Sequence, residues 1–231
     1  MNDWLVFGLM LVGAYLVGSI PSAYLAARWC GGVDIRKVGT RNVGSSNVLH
    51  TVSKWVAIPV LLFDIGKGAV VVWIARLLGL DTGMQAAVGL AAIGGHNWPV
   101  FLKFQGGRGI ATSLGVVIAL VPLIGLIVLV GSYLFAPFKQ HGLGVFIVIF
   151  LMPFMSWFLA GPFGIEDRVA TTAGLTAIAV VAFARRLIHY RSDLSRNTPT
   201  VELIFNRLLF DRDIRDRKLW LRREQVGTPQ G

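Results

Sequence analysis

Six long apolar segments dominate this chain and constrain its fold more than any single motif does. They cover residues of about 4–28, 55–79, 84–101, 109–136, 143–160 and 169–187. A helix that crosses a bilayer needs about 17–25 mainly apolar residues. Because lipid offers no hydrogen-bond partners, the backbone of such a segment must satisfy itself as a helix. The sequence therefore predicts an all-α fold, a polytopic bundle of membrane helices.

Composition agrees with a membrane protein and limits its partners. Hydrophobic residues make up 55% of the chain, charged residues only 15%, and the net charge is +10. The basic residues lie between apolar segments, which predicts contact with membrane lipid and argues against nucleic acid. Cys30 is the only cysteine, so no internal disulfide can form. The N-terminal MNDW lacks the basic start of a secretory signal, so we expect the first segment to stay attached.

The fourth apolar segment decides the number of crossings. It is too long for one crossing and contains Pro122, which interrupts a helix. Splitting it into helices of about 109–121 and 123–137 gives about seven crossings. The basic connections at 28–54, 103–108 and 139–141, and the basic C-terminal tail, then all face the cytoplasm. We predict seven transmembrane helices with the N-terminus outside and the C-terminus inside, or a re-entrant pair in place of the two short helices.

The stretch GHNWPVFLKFQGGRGIATSLG, residues 95–115, predicts a phosphate site at a membrane boundary. A helix that begins after Gly109 would direct free backbone N–H groups and a positive dipole end at the Gly-Gly-Arg-Gly turn. Lys103 and Arg108 can supply counter-charge. The alternative is an ordinary membrane loop, in which the basic residues mark topology and the glycines form a turn.

Three ionisable residues lie in apolar surroundings. Asp64 and Lys67 are three residues apart on one helix face, where they can pair, either for function or to tune helix packing. His96 is either a hydrogen-bonded structural residue or a catalytic one. The His, Cys and carboxylate residues lack metal-ligand spacing, and serine-hydrolase motifs are absent. We therefore expect neither a metal nor a cofactor.

The loop DIRKVGTRNVGSSNVLH, residues 34–50, is dense in small polar side chains. Its hydroxyl and amide residues are Thr40, Asn42, Ser45, Ser46 and Asn47. Such side chains commonly cap helices and close turns. Their number here also suits the binding of a hydroxylated, phosphorylated small molecule.

Together these segments resemble the PlsY family of bacterial acyl-phosphate:glycerol-3-phosphate acyltransferases. The resemblance runs from Gly18 to about Gly115. It rests on three elements in order: DIRKVGTRNVGSSN, then DIGKG from Asp64, then GHNWPVFLKFQGGRGIAT. The seven-helix, N-out, C-in fold of that family fits the charge distribution of this chain.

The resemblance implies transfer of an acyl group from acyl phosphate to the primary hydroxyl of glycerol 3-phosphate. The product, lysophosphatidic acid, serves phospholipid synthesis, and the active site would face the cytoplasm from the cell (inner) membrane. An acyl phosphate is already activated, so the site needs to position the substrates and stabilise charge. The implied catalytic residues are His96, Arg108 and Thr40. The implied substrate-binding residues are Asn42, Ser45, Ser46, Asn47, His50, Lys103, Gly106, Gly107, Gly109 and Thr112. Supporting positions are Asp64, Lys67, His189 and Asp193.

Several positions depart from the pattern of that family. These are Thr40 for Ser, Arg41 for Gly, His50 for Arg and Arg108 for Lys, with His189, Tyr190, Arg191 and Asp193 where a His-Arg-x-Asn element would fall. Two alternatives to the enzyme therefore stay open: a membrane carrier for an organic phosphate, and a catalytically impaired relative. The sequence does not predict the oligomeric state.

The C-terminal region falls outside the resemblance. We divide the chain into a transmembrane acyltransferase-like domain, residues 1–190, and a basic cytoplasmic tail, residues 191–231. From Arg185 onwards the chain holds eleven Arg or Lys and six Asp or Glu. Apolar residues recur at roughly helical spacing between Val201 and Leu221, which predicts an amphipathic helix on the inner leaflet. The alternative is a solvated extension.

Overall fold

The computed structural model of the protein describes residues 2–188, 195–216 and 219–220, and every regular element in these ranges is helical. The helices are α1 (Asp3–Gly18), α2 (Ser22–Gly31), α3 (Ser45–Thr51), α4 (Lys54–Leu77), α5 (Thr82–Asn97), α6 (Ile110–Leu120), α7 (Pro122–Leu134), α8 (His141–Phe158), α9 (Arg168–Leu187) and α10 (Thr200–Phe210). A 3₁₀ turn, Val100–Leu102, lies between α5 and α6. The predicted all-α class is confirmed.

Four helical segments of the described residues are long and apolar enough to cross a membrane. They are Asp3–Gly31, Lys54–Leu77, His141–Phe158 and Arg168–Leu187. The apolar helices α6 and α7 have 11 and 13 residues. At a rise of about 1.5 Å per residue, each is shorter than the roughly 30 Å hydrocarbon core. The protein is thus an all-helical membrane protein in which a short helical pair accompanies longer spans.

Proline positions explain two interruptions of the apolar segments. The first segment, predicted as one helix over 4–28, is divided into α1 and α2 at Ser19–Pro21, since Pro21 lacks a backbone N–H. The predicted division of the fourth segment is confirmed, because Val121 is extended and Pro122 begins α7. Arg76 of α4 donates to the carbonyl of Ala119 at 2.7 Å, which satisfies a carbonyl freed where α6 ends.

The helix pair α4 and α6 forms the centre of the bundle and is joined through small residues. Gly68 of α4 lies against the backbone carbonyl of Thr112, and Gly115 of α6 lies against that of Ile65. A Cβ atom at either glycine would overlap the facing carbonyl group. Small residues at membrane helix interfaces allow this close approach. The packing fixes the start of α6 beside the polar residues of α4.

The C-terminal helix is shorter than the sequence predicted. The amphipathic pattern indicated a helix between Val201 and Leu221, but α10 ends at Phe210 and Asp211 adopts a left-handed conformation with φ of 59°. A left-handed residue commonly ends a helix. Helix α10 packs on α8 and α9, with Leu203 buried. The predicted supporting residues His189 and Asp193 lie outside the described residues.

Candidate active site

An amphipathic cavity of about 660 Å³ connects the first loop (residues 34–50), the glycine-rich loop (residues 106–109) and the interior of the bundle. Its polar end includes Thr40, Asn42, Ser45, Ser46, His50 and Arg108. Its apolar end lies among Val117, Val128, Val145, Ile149, Met152 and Ile178. This volume is in the range of ligand sites, about 300–1,000 Å³. A molecule with an anionic head and a long apolar chain would match both ends.

The cavity carries an excess of positive charge. Its cationic lining residues are Lys54, Arg108, Lys139, Arg186 and Arg212, and its acidic lining residues are Asp64 and Asp211. Arg108, Arg186 and Arg212 are buried or half-buried, whereas Lys54 and Lys139 are exposed. The less exposed cations attract anions more strongly, because their surroundings screen charge poorly. The cavity therefore favours an anionic ligand over a neutral or cationic one.

The first loop is built around the side chain of Asn47. Its Nδ2 donates to the carbonyls of Ile35, Val38 and Asn42, each at 3.1 Å, and its Oδ1 accepts from the backbone N–H of Thr40 at 3.1 Å. Asn47 is fully buried and is not among the cavity-lining residues. Its geometry supports a role in shaping the loop, in place of the substrate contact predicted from sequence.

Asn47→Ala is expected to lower the free energy of unfolding by about 2–3 kcal/mol, since buried backbone groups would lose their partner. Asn42→Ala is the matched control, because the half-buried Asn42 lines the cavity. We expect Asn42→Ala to raise the KM for glycerol 3-phosphate, the acceptor that the resemblance implies, with little loss of stability. Thermal unfolding in detergent and steady-state kinetics separate the two roles, and the reverse pattern would contradict this assignment.

An ion pair orders the start of the same loop. Arg36 donates to both carboxylate oxygens of Asp34, at 2.9 and 2.7 Å. These hydrogen bonds hold the pKa of Asp34 below its ordinary value. Neither residue lines the cavity. Asp34 and Arg36 therefore stabilise the loop at its base.

The glycine-rich loop is fixed from two sides. Arg185 of α9 donates to the carbonyl of Gly107 at 2.8 Å and to that of Gly106 at 3.3 Å. The N–H of Gly107 donates to the carbonyl of His96 at 3.1 Å, and a Cβ atom at Gly107 would overlap the imidazole. The carbonyl of Gly106 and both backbone groups of Gly107 are thus occupied by protein partners.

The start of α6 provides free donors at the cavity instead. Gly109 is left-handed, with φ of 74°, and precedes the first helical residue, Ile110. Gly109, Ile110 and Ala111 all line the cavity, as does Arg108. The first amides of a helix have no partner within it and carry partial positive charge. This end of α6 suits a phosphate group, with Arg108 beside it.

Asp64, Lys67 and His96 form a buried cluster between α4 and α5. Lys67 Nζ lies 2.8 Å from Asp64 Oδ1, and 3.0 Å from His96 Nδ1. It also donates to the carbonyl of Ile20 at 3.3 Å. Asp64 accepts a hydrogen bond of 2.8 Å from Ser22. The predicted ion pair is thus present, and it joins α4 to the break between α1 and α2.

The cluster determines which nitrogen of His96 carries a proton. An ammonium group has three donors and no acceptor, and the three donors of Lys67 face Asp64, Ile20 and His96. When Lys67 is an ammonium, His96 Nδ1 accepts from it at 3.0 Å, a shorter contact than the 3.7 Å from Nδ1 to Asp64 Oδ1. We infer that the proton of the neutral ring is on Nε2. In this tautomer Nε2 is a hydrogen-bond donor and cannot accept a proton.

The structure brings most of the sequence-predicted residues to one cavity. Those that line it are Thr40, Asn42, Ser45, Ser46, His50, Asp64, His96, Arg108 and Gly109. Those that do not are Asn47, Lys67, Lys103, Gly106, Gly107 and Thr112. Lys103 is exposed, whereas Thr112 is fully buried at the contact between α6 and α4.

The sequence assigns no site role to five basic residues of this region. Arg185, Arg186 and Arg212 belong there to the basic C-terminal tail, and Lys54 and Lys139 to the basic connections that mark topology. Arg186 is 2% exposed and lines the cavity, and Lys54 lies at its rim beside the first loop. Their position at helix ends next to apolar spans was the available signal, but it is shared by most basic residues of a membrane protein.

Comparisons with known proteins agree with this geometry. The family model described as glycerol-3-phosphate acyltransferase matches residues 8–197. The chain is 44% identical over 226 residues to glycerol-3-phosphate acyltransferase 4 of Dehalococcoides mccartyi, covering 98% of this chain and 97% of that protein. It is 46% identical over 226 residues to acyltransferase 5 of that organism, with the same coverage.

Solved structures of PlsY, an integral membrane glycerol 3-phosphate acyltransferase, have a similar fold. The glycerol 3-phosphate form is 29% identical, with a TM-score of 0.69, and the match covers 84% of this chain and all of that chain. The lysophosphatidic acid form is 28% identical, with a TM-score of 0.71, and the match covers 94% of this chain and 98% of that chain. With the family match over residues 8–197, these likenesses establish that the chain belongs to the PlsY family of glycerol-3-phosphate acyltransferases.

Proposed function

We propose that the protein transfers an acyl group from an acyl phosphate to the primary hydroxyl of glycerol 3-phosphate. The products are lysophosphatidic acid and inorganic phosphate. The amphipathic cavity carries this proposal: its cationic end fits two phosphate groups, and its apolar end, between α6, α7, α8 and α9, fits an acyl chain. The names of the related proteins support the acceptor and the product.

The donor phosphate is assigned to Arg108 and the first amides of α6. This places the phosphate at a helix N-terminus with a bidentate cation beside it. Lys103 and Thr112 do not line the cavity. Lys103 would act only through its electrostatic field, and Thr112 only through the packing of α6 on α4. Gly106 and Gly107 would hold the loop in shape through Arg185.

Glycerol 3-phosphate is assigned to the first loop. Thr40, Asn42, Ser45 and Ser46 offer neutral donors and acceptors, and Lys54 and His50 lie at the same end of the cavity. The hydroxyl oxygen attacks the acyl carbonyl carbon, the bond to the donor phosphate breaks, and phosphate leaves. Because His96 Nε2 carries a proton, His96 is assigned to donate a hydrogen bond. The hydroxyl proton passes to an oxygen of the acceptor's own phosphate, a monoester whose second pKa is about 6.

The membrane orientation follows from charge. We propose the seven-segment, N-out, C-in topology, with the active site facing the cytoplasm from the inner membrane, because the basic connections then share one side. Residues 1–190 form the membrane domain. Helix α10 of the tail leaves Val201, Ile204 and Phe205 exposed, which supports its location at the inner-leaflet surface.

The proposal is tested with purified protein in nanodiscs, supplied with acyl phosphate and labelled glycerol 3-phosphate. We expect labelled lysophosphatidic acid, with release of one phosphate per product molecule. An acyl thioester tested in parallel identifies the donor class. Uptake of glycerol 3-phosphate into proteoliposomes, without any lysophosphatidic acid, would instead establish the carrier. Absence of both activities in folded protein would indicate an impaired relative.

A further inference from the structure

Two arginines of the cavity share one carboxylate from the C-terminal segment. Arg108 donates to Oδ2 of Asp211, and Nε of Arg186 lies 3.8 Å from Oδ1 of the same residue. All three side chains line the cavity. Arg108 begins the phosphate-binding end of α6, so Asp211 places its negative charge where the donor phosphate is assigned.

The segment that carries Asp211 is anchored to the membrane helices. Arg186 donates to the carbonyls of Leu208 and Gly142, the latter at 3.2 Å. Arg207 donates to Asp213 and to the carbonyl of Leu187, both at 2.8 Å. These bonds hold the end of α10 against the start of α8 and the end of α9. The position of Asp211 is therefore built into the fold.

Arg108 and Arg186 together carry more positive charge than the single carboxylate of Asp211 neutralises. Arg186 is 2% exposed, and the Arg108 side chain is 14% exposed. Within the described part of the chain, Nε of each arginine is buried without a hydrogen-bond acceptor. One carboxylate faces two guanidinium groups, which leaves one positive charge uncompensated. A phosphate group offers three strong acceptor oxygens and up to two negative charges, and guanidinium binds it in a bidentate manner.

We propose that Arg108 and Arg186 together form the donor-phosphate subsite and that Asp211 is its resident counter-ion, which the donor phosphate displaces. The assignment rests on the proposed acyltransferase function. It adds Arg186 as a phosphate-binding residue and makes the Asp211 side chain, held in place by the end of α10, a competitor of the donor phosphate. Helix α10 and Asp211 lie beyond residues 8–197, the part of the chain that the family model matches, and within the 226 residues over which the two Dehalococcoides mccartyi relatives match.

Competition of this kind multiplies the apparent affinity for the donor by the fraction of molecules in which the Asp211 carboxylate has left the subsite. Asp211→Asn removes the competing charge, and Asn tolerates the left-handed conformation of this position. We expect the KM for acyl phosphate to fall about threefold or more, and the KM for glycerol 3-phosphate to stay the same. Inorganic phosphate, as a competitive inhibitor against the donor, should inhibit the variant at a correspondingly lower concentration.

Three further variants make the test decisive. Glu202→Gln, an exposed position on α10, changes the net charge equally and should leave both KM values unchanged. Asp211→Glu keeps the competing charge and should stay near wild type. Asp211→Gly also removes the charge, and glycine adopts positive φ without strain. If Asp211→Asn folds poorly, the lower donor KM is therefore expected of Asp211→Gly.

An unchanged or higher donor KM in folded Asp211→Asn and Asp211→Gly would overturn the proposal. A higher KM would show that Asp211 positions Arg108 for catalysis. These outcomes are distinct from a failure of the proposed function, since in that case the wild-type protein itself forms no lysophosphatidic acid. Arg186→Lys supplies a separate measurement: it should raise the donor KM and leave the acceptor KM unchanged.

Discussion

Arg108→Ala is expected to reduce acyl transfer at least about 100-fold while the protein still inserts and purifies as a folded species. Arg108 is the cation beside the free amides of α6, so its removal takes away a preorganised charge at the leaving phosphate. Removal of one such donor typically lowers the rate by about 10²–10³. The variant also releases Asp211 from its ion pair, which leaves this carboxylate to repel the donor.

Arg108→Lys and Arg28→Ala are the controls for this result. Arg108→Lys keeps the charge and is the residue usual in the related family, so we expect it to keep most of the activity. Arg28 is exposed at the end of α2 and does not line the cavity, so Arg28→Ala should remain near wild type. Initial rates with labelled glycerol 3-phosphate measure all three variants. Activity of Arg108→Ala above about a tenth of wild type, a barrier change under roughly 1.4 kcal/mol, would contradict the phosphate role.

Local sequence signals predicted the helices and the loops of the site. Apolar segment length and the position of Pro122 were sufficient to predict α4, α8 and α9 and the division into α6 and α7. The Gly-Gly-Arg-Gly turn indicated the start of α6 at a phosphate-binding end. These features depend on residues close together in the chain, which is why the sequence predicts them.

The sequence did not predict contacts between residues that are far apart in the chain. The hydrogen bonds from Arg185 to the glycine-rich loop span 78 residues or more, and the ion pair from Arg108 to Asp211 spans 103. Asn47 was predicted to touch substrate, because a polar side chain in a loop looks the same whether it faces a ligand or its own backbone. Only the fold shows that its amide is occupied.

The buried ion pair provides the prediction with the largest expected effect on stability. Asp64 and Lys67 have side chains that are each 2% exposed, and they are joined at 2.8 Å. Asp64→Asn removes one charge and leaves the ammonium of Lys67 buried without a counter-charge. Breaking a buried pair in this way typically lowers the free energy of unfolding by about 3–5 kcal/mol. We expect a loss of that size for Asp64→Asn, and similarly for Lys67→Met, by unfolding in detergent.

The double variant Asp64→Asn with Lys67→Met shows whether the loss of stability comes from an uncompensated buried charge. It leaves no uncompensated charge in the cluster, so it should recover much of the stability lost by either single variant. His96 loses the donor that fixes its tautomer, because Lys67 donates to Nδ1. We therefore expect the double variant to be folded but slow, with acyl transfer below wild type. Additive losses of stability would instead show that each residue acts through separate contacts, Asp64 with Ser22 and Lys67 with Ile20.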